Sequence, residues 1–245
     1  MSTTRQAVRE RYARAARQMA VAGNAGCCGD GAGCDCGSYS EQDLQLIGLS
    51  ESVSLGCGNP TLLAALEPGE KVLDLGSGGG LDVLLSARRV GPTGHAFGVD
   101  MTDEMLELAE ANRARAGVRN ATFMKGTIES VPLPSASVDV VISNCVINLA
   151  EDKGAVIHEA FRVLRSGGRL AVADMVELEP LAPELKRAPD AWAGCVAGAI
   201  PVEQYRGLLL AAGFAEPEIE VHTVTEVPEG GRIGSAYIRA RKSSV

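Results

Sequence analysis

Between residues 71 and 176 the chain alternates short apolar runs with longer stretches whose apolar positions recur at helical spacing. The runs 71–75, 95–99, 121–125, 138–143 and 169–175 have strand length. Val138-Asp-Val-Val-Ile-Ser143 is β-branched and apolar, as suits a central strand covered on both faces. The stretches 81–90, 103–116 and 152–164 predict helices, the second stopped by Gly117. Such alternation predicts an α/β fold, a mostly parallel sheet with helices on both faces. Upstream, Val8, Tyr12, Ala15 and Met19 mark the apolar face of an N-terminal helix that also carries Arg5, Arg9, Arg11, Arg14 and Arg17. Ser40 with Asp43 starts a short helix, and Pro60 fits the first turn of another. Residues 177–189, rich in proline and charge, predict a connection; beyond Pro201 come a helix stopped by Gly213 and strands near 218–227 and 235–241. The chain therefore divides into an N-terminal helix with a cysteine-rich loop (1–50), a strand–helix core (51–176) and a C-terminal segment completing the sheet (177–245).

Composition narrows the function. With 245 residues, 46% hydrophobic and 22% charged, the chain suits one large α/β domain with terminal additions. A net charge of −8 speaks against a protein that must neutralise many phosphates, so a small-molecule substrate and no nucleic-acid partner are expected. No apolar run reaches membrane-spanning length and the first twenty residues lack a signal-peptide core, so a cytoplasmic protein with no membrane partner is expected. Seven cysteines (Cys27, Cys28, Cys34, Cys36, Cys57, Cys145 and Cys195) point to thiol chemistry or metal binding more than to a disulfide framework. Four of them fall in residues 23–39, a glycine-rich stretch without periodicity that predicts a loop and lacks the paired CxxC spacing of a structural zinc module.

The core is organised around Lys71 to Asp82, KVLDLGSGGGLD, a strand running into a glycine turn and then a helix. Glycines let the backbone turn sharply and approach a ligand, and the turn aims the first N–H groups of the helix into the crevice. The spacing is Asp74-x-Gly76-x-Gly78-x-Gly80, with Leu81 where a dinucleotide fingerprint would place its last glycine. Asp100 stands 20 positions after Gly80 at the end of the next strand, suitably placed for ribose hydroxyls. This combination resembles the class I S-adenosylmethionine (SAM) dependent methyltransferases. The resemblance implies a Rossmann-like, mostly parallel seven-stranded sheet. It also implies that Asp74, Gly76, Ser77 and Gly78 receive the methionine part of SAM, that Asp100 holds the ribose, and that Met101 lies against adenine. Gly126-Thr127-Ile128-Glu129 ends the third strand, where the family contacts adenine, with Thr127 where many relatives carry an acid. Asn144 and Cys145 end the fourth strand, which faces the reactive methyl in the family. Asn144-Cys145-Val146 matches neither the Pro-Pro-aromatic run nor the Pro-Cys pair of nucleic-acid base methyltransferases.

An oxygen nucleophile normally needs a base, yet His95, His158 and His222 all read as scaffold residues. A nucleophile with its own lone pair needs none. Trivalent arsenic is one, and it selects sulfur ligands. Ser54-Leu-Gly-Cys57-Gly-Asn-Pro60, Ser143-Asn-Cys145-Val-Ile-Asn148 and Ala193-Gly-Cys195 resemble the three cysteine motifs of the arsenite methyltransferases, in order and in context. That resemblance implies arsenite as substrate and methylated arsenicals as products. Cys145 and Cys195 would hold As(III), with Cys57 as third ligand or as partner in a later disulfide. Cys28, or its neighbour Cys27, would join the thiol relay, and a thioredoxin or glutathione-type reductant would reopen it. Two other readings stay open: a SAM-dependent C- or O-methyltransferase of a small organic metabolite with incidental cysteines, and a non-catalytic arsenic-binding protein that never consumes SAM.

Overall fold

In a computed structural model, residues 2–22, 39–48, 56 and 58–244 are described. The expected loop at 23–39, with Cys27, Cys28, Cys34 and Cys36, lies outside the described residues apart from Tyr39, and Cys57 lies outside them too. The elements run α1 (Thr3–Ala22), α2 (Glu41–Ile47), α3 (Pro60–Leu63), β1 (Lys71–Leu75), α4 (Leu81–Val90), β2 (His95–Asp100), α5 (Asp103–Ala116), β3 (Ala121–Lys125), β4 (Val138–Asn144), α6 (Lys153–Val163), β5 (Leu164–Glu179), α7 (Pro183–Lys186), α8 (Pro189–Ala193), β6 (Ile200–Pro201), α9 (Val202–Ala212), β7 (Phe214–Glu226) and β8 (Arg232–Lys242).

The strand order is β3-β2-β1-β4-β5-β8-β7, and β6 pairs with β5. Strands β1 to β5 pair in parallel, while β8 lies antiparallel between β5 and β7. The sequence thus leaves β1 towards β2 and β3, then crosses back to β4 on the other side of β1. A sheet with that reversal opens a crevice at the carboxyl ends of β1 and β4, where open α/β sheets bind ligands. The expected seven strands lie on this path, and the two-residue β6 makes an eighth. Ile200 and Pro201 ladder onto Val176 and Glu177, too short a pairing to leave a hydrophobic period. The fifth strand also runs longer than its apolar run. It continues to Glu179, past the end expected at 175, because β8 pairs along it from Arg169 to Glu179. The expected connection at 177–189 accordingly begins as strand and contains the single-turn α7.

Helices cover both faces. Val83, Leu84, Leu85 and Val90 of α4 are fully buried, as are Val156, Ile157, Ala160 and Val163 of α6. Each such Leu, Ile or Val burial contributes roughly 1.5–3 kcal/mol. Ser40 caps α2 through a capping box with Asp43, and the Asp43 carboxylate accepts from Arg89 of α4 at 2.7 Å. Helix α1 buries Val8, Ala13, Ala16 and Met19, and packs on α5 and α8. Its apolar face is therefore turned from the expected one, leaving Tyr12 and Ala15 half-buried.

Candidate active site

The glycine turn closes β1 onto β2. The N–H groups of Gly76 and Ser77 both donate to the Val99 carbonyl, at 2.9 and 3.0 Å. Gly76 and Gly80 have φ of 72° and 86°, the left-handed region that disfavours side chains. A Cβ on Gly76 would stand 2.4 Å from the Val146 side chain, and one on Gly80 2.6 Å from Phe123, so neither position has room for one. Asp100 ties the two strand ends together, accepting from the Gly78 N–H at 3.0 Å and the Thr102 N–H at 2.8 Å.

The turn forms the floor of a cleft of about 1040 Å³, open solvent at its mouth included. All ten residues that the class I resemblance assigns to the cofactor line it: Asp74, Gly76, Ser77, Gly78, Asp100, Met101, Thr127, Ile128, Glu129 and Asn144. Sequence reasoning missed the wall formed by Arg5, Val8 and Tyr12 of α1, and it gave Asp82 no role of its own. The signal for Asp82 was present, since it ends the KVLDLGSGGGLD motif in the first turn of α4. Tyr12 was legible only as a member of an apolar face.

Of the acidic residues that line this cleft, Asp74, Asp82 and Asp100 are the desolvated ones. Burial pushes Asp74 well above the usual carboxylate range, and repulsion from Asp82 and Asp100 pushes it further. Burial lifts Asp82 to about 6, although hydrogen bonds from Tyr39 (2.8 Å) and Asn144 (3.3 Å) favour its ionised form. Asp100 is raised too, again by burial, against the N–H bonds it accepts. The Ser77 hydroxyl is buried with no hydrogen-bond partner among the described residues. A crowd of desolvated carboxyls beside an unsatisfied hydroxyl fits a ligand that brings positive charge and polar groups. SAM carries a sulfonium, an ammonium and a ribose diol, so the residues present fit it.

The cysteines lie next to this wall. Cys145 directly follows β4, its N–H donating to the Ala173 carbonyl at 2.8 Å. Its neighbours Asn144 and Val146 line the cleft, while Cys145 belongs to an apolar cluster with Met175, Leu181, Ala199 and Ile233. Cys195, just beyond α8, packs against that same cluster, and its Sγ donates to the Cys145 carbonyl at 3.4 Å. Both cysteines adopt left-handed backbone, φ 58° and 62°. Such a conformation costs a residue with a side chain about 1–3 kcal/mol and clusters at functional sites. Cys145 is disulfide-bonded. Position 57 itself is not described, but both flanking glycines meet Asn144. A Cβ on Gly56 would stand 2.0 Å from Asn144 Cγ, and Gly58 exchanges two hydrogen bonds with the Asn144 side chain, at 3.2 and 2.7 Å. Cys28 lies outside the described residues.

A buried polar network holds the two cysteine segments in register. Asp174 of β5 is fully buried, which lifts its carboxyl to about 7, and it accepts from the N–H groups of Asn148 and Met175, both at 2.9 Å. The Asn148 side chain donates to the Cys195 carbonyl at 2.6 Å. Lys153 donates to the carbonyls of Asn148 and Ala150 and sits over the Trp192 ring, 5.3 Å from its centre. Gly198 leaves space for this contact, because a Cβ there would lie 2.1 Å from the Asn148 carbonyl oxygen. Asp174 escaped sequence reasoning; a lone acid inside the apolar run Leu170–Val176 was the available signal.

The histidines are elsewhere. His95 bonds Thr122, His158 bonds the Gly154 carbonyl within α6, and His222 packs on Tyr237; none lines the cleft. Among the described residues no group of three or more His, Cys, Asp or Glu could hold a metal ion, and no helix is long and apolar enough to cross a membrane.

Comparison with known proteins agrees with this geometry. Residues 66–226 match a methyltransferase domain family. The chain is 44% identical to an arsenite methyltransferase of Halobacterium salinarum over 228 residues, 88% of this chain and 58% of that protein. It is 36% identical to the arsenite methyltransferase of Mus musculus, over 74% of this chain and 50% of the relative. The chain thus spans about half the length of these curated relatives. The crystal structure of an arsenic(III) SAM methyltransferase from Chlamydomonas reinhardtii superposes with a TM-score of 0.69 at 32% identity, covering 85% of this chain and 72% of that one. With the glycine turn, the acidic cleft and the switch-point sheet all in place, the chain belongs to the class I SAM-dependent methyltransferases, within their arsenite methyltransferase family.

Proposed function

We propose that the chain transfers a methyl group from SAM to trivalent arsenic held by Cys145 and Cys195, with Cys57 as third thiolate or as disulfide partner. The observation that carries this reading is the meeting of Cys195 Sγ with Cys145, 3.4 Å from its carbonyl, one residue behind the wall of an acidic cleft. Bound in that cleft, SAM supplies a methyl group activated on a positively charged sulfur. Asp74, Asp82 and Asp100 complement its positive charges, and Asp100 is placed for the ribose. Met101, Thr127, Ile128 and Glu129 bound the adenine end.

Cys145 and Cys195 hold the metalloid with its unshared electron pair towards the cleft, so that attack on the methyl carbon is in line with the breaking carbon–sulfur bond. No side chain has to remove a proton, which accords with the absence of histidine from the cleft. Arsenic is formally oxidised by the transfer. Two enzyme thiols return two electrons and close a disulfide, which a thioredoxin or glutathione-type reductant reopens by thiol–disulfide exchange. The disulfide bond at Cys145 supports its part in such a relay. The products are methylated arsenicals, and the biological role is arsenic detoxification.

The test is arsenic speciation after incubating the full chain with arsenite, SAM and a thiol reductant, beside quinone and sterol-like acceptors. Methylated arsenic with stoichiometric loss of SAM is expected. Methylation of an organic acceptor alone would favour the small-metabolite reading. Arsenite binding without SAM consumption would favour a sequestering protein.

A further inference from the structure

One amide joins the two cysteine segments. A short turn of helix, Ile147–Leu149, follows Cys145, and Asn148 within it is buried to 1% exposure. The backbone N–H of Asn148 donates to the Asp174 carboxyl at 2.9 Å, which fixes the turn to the sheet. Its side-chain Nδ2 donates to the Cys195 carbonyl at 2.6 Å. Cys195 has left-handed backbone, φ 62°, and gives its N–H to the Trp192 carbonyl at 3.1 Å. A residue with a side chain keeps that conformation only where its surroundings hold it, and Asn148 holds the carbonyl half. The chain beyond Cys195 packs closely on the same residue: a Cβ on Gly198 would stand 2.1 Å from the Asn148 carbonyl oxygen and 2.5 Å from its Oδ1. That Oδ1 is buried with no hydrogen-bond partner among the described residues. An unpaired buried oxygen offsets the stability that the donated bond supplies, so what the amide contributes is the placement of Cys195.

We propose that Asn148 is a positioning residue that sets Cys195 against Cys145, so that both thiolates hold one arsenic atom at once. The proposal rests on the arsenite-methylation reading given above. Each arsenic–sulfur bond forms as a cysteine thiol displaces one arsenic hydroxyl, the thiol proton leaving with it as water. After the first exchange the second thiol is an intramolecular ligand, at an effective concentration set by how narrowly its segment is held. Removing the amide releases the Cys195 carbonyl, and that effective concentration falls. Arsenite, with more than one exchangeable position, loses affinity as a result. Dimethylarsinous acid has two arsenic–carbon bonds that thiols do not displace and a single exchangeable position, so it has no such gain to lose.

Trp192, the chain's one tryptophan, shares an apolar cluster with Cys195 and donates to the Leu149 carbonyl at 3.0 Å, so it reports on this region. Reduced full-length protein is titrated by tryptophan fluorescence with arsenite and, separately, with dimethylarsinous acid. Two variants are compared with wild type: Asn148→Leu, close to the original side chain in size, and Asn148→Ala. Both keep the backbone N–H that bonds Asp174. Each is expected to bind arsenite about 10- to 100-fold more weakly, the usual cost of losing a group that orients a metal's ligand. Affinity for dimethylarsinous acid is expected to stay within about threefold of wild type, because one thiol gains nothing from the placement of another. S-adenosylhomocysteine still binds, and KM for arsenite rises more than kcat falls. A variant that binds S-adenosylhomocysteine yet keeps wild-type arsenite affinity overturns the proposal, as does an equal loss for both arsenicals. Loss of S-adenosylhomocysteine binding in both variants overturns it too, by making Asn148 a scaffold residue. Failure of the wild type to bind arsenite at all overturns it together with the functional reading.

Discussion

Cys195→Ser is expected to lower methylation of arsenite by at least about 100-fold, beyond the 10- to 100-fold that changes around a metal's ligands typically cost. Cys195 Sγ stands 3.4 Å from the Cys145 carbonyl, and the segment is fixed by the Asn148 bond to the Cys195 carbonyl. Serine keeps the size of the side chain but replaces a soft donor by a hard one, which a thiophilic centre rejects. Cys195 does not itself line the donor cleft, so the variant is expected to retain binding of S-adenosylhomocysteine. Cys145→Ser is expected to give the same pair of results, since Asn144 and Val146 carry the cleft wall on either side of it. Single-turnover arsenic speciation and calorimetry with S-adenosylhomocysteine check the two halves separately. Normal arsenite turnover by either variant would remove that cysteine from the mechanism.

The second large effect is a split between folding and binding. Asp74→Asn is expected to weaken SAM binding by about 10- to 100-fold, the scale of a lost hydrogen bond to a charged group. The same substitution is expected to stabilise the ligand-free protein. Burial, then repulsion from Asp82 and Asp100, raises the Asp74 pKa above its unfolded value. Stability from a carboxyl shifted that way is fully present below the unfolded pKa and is lost as pH rises through the folded one. Wild type and variant should therefore unfold at similar temperatures in acid, and the variant should gain an advantage as pH rises. For a chain of this size each kcal/mol appears as about 2–4 °C in Tm. Thermal unfolding across pH 4 to 8, paired with SAM titration, reads both quantities. A variant less stable than wild type at neutral pH would mean that Asp74 is held by a structural partner rather than kept for a cation.

The sequence discloses this molecule where local chemistry decides the outcome. The five parallel strands sit close to their apolar runs, because β-branched stretches bounded by glycine turns are specified by neighbouring residues. The turn at Gly76 to Gly80 was legible for the same reason: the space beside Val146 and Phe123 admits no Cβ. What pairing across the sheet decides was not legible. The C-terminal end of β5 runs on because β8 lies beside it, and β6 consists of two residues laid on that strand. The site divides in the same way. Asp74, Asp100 and the adenine-side residues stand in recognisable contexts, but Tyr12 reaches the cleft only because α1 folds back over α5 and α8. Asp174 and Asp82 are single acids whose significance comes from burial. Spacing could place Cys145 at the carboxyl edge; only the likeness of motifs brought Cys195 to it, and the fold sets the two against each other.

The most direct measurement is X-ray absorption at the arsenic edge on reduced, arsenite-loaded protein. A first shell of sulfur alone is expected in the wild type, with one sulfur replaced by a lighter atom in Cys195→Ser. An oxygen-only shell in the wild type, or an unchanged sulfur shell in Cys195→Ser, would contradict arsenic ligation by Cys145 and Cys195 beside the donor cleft.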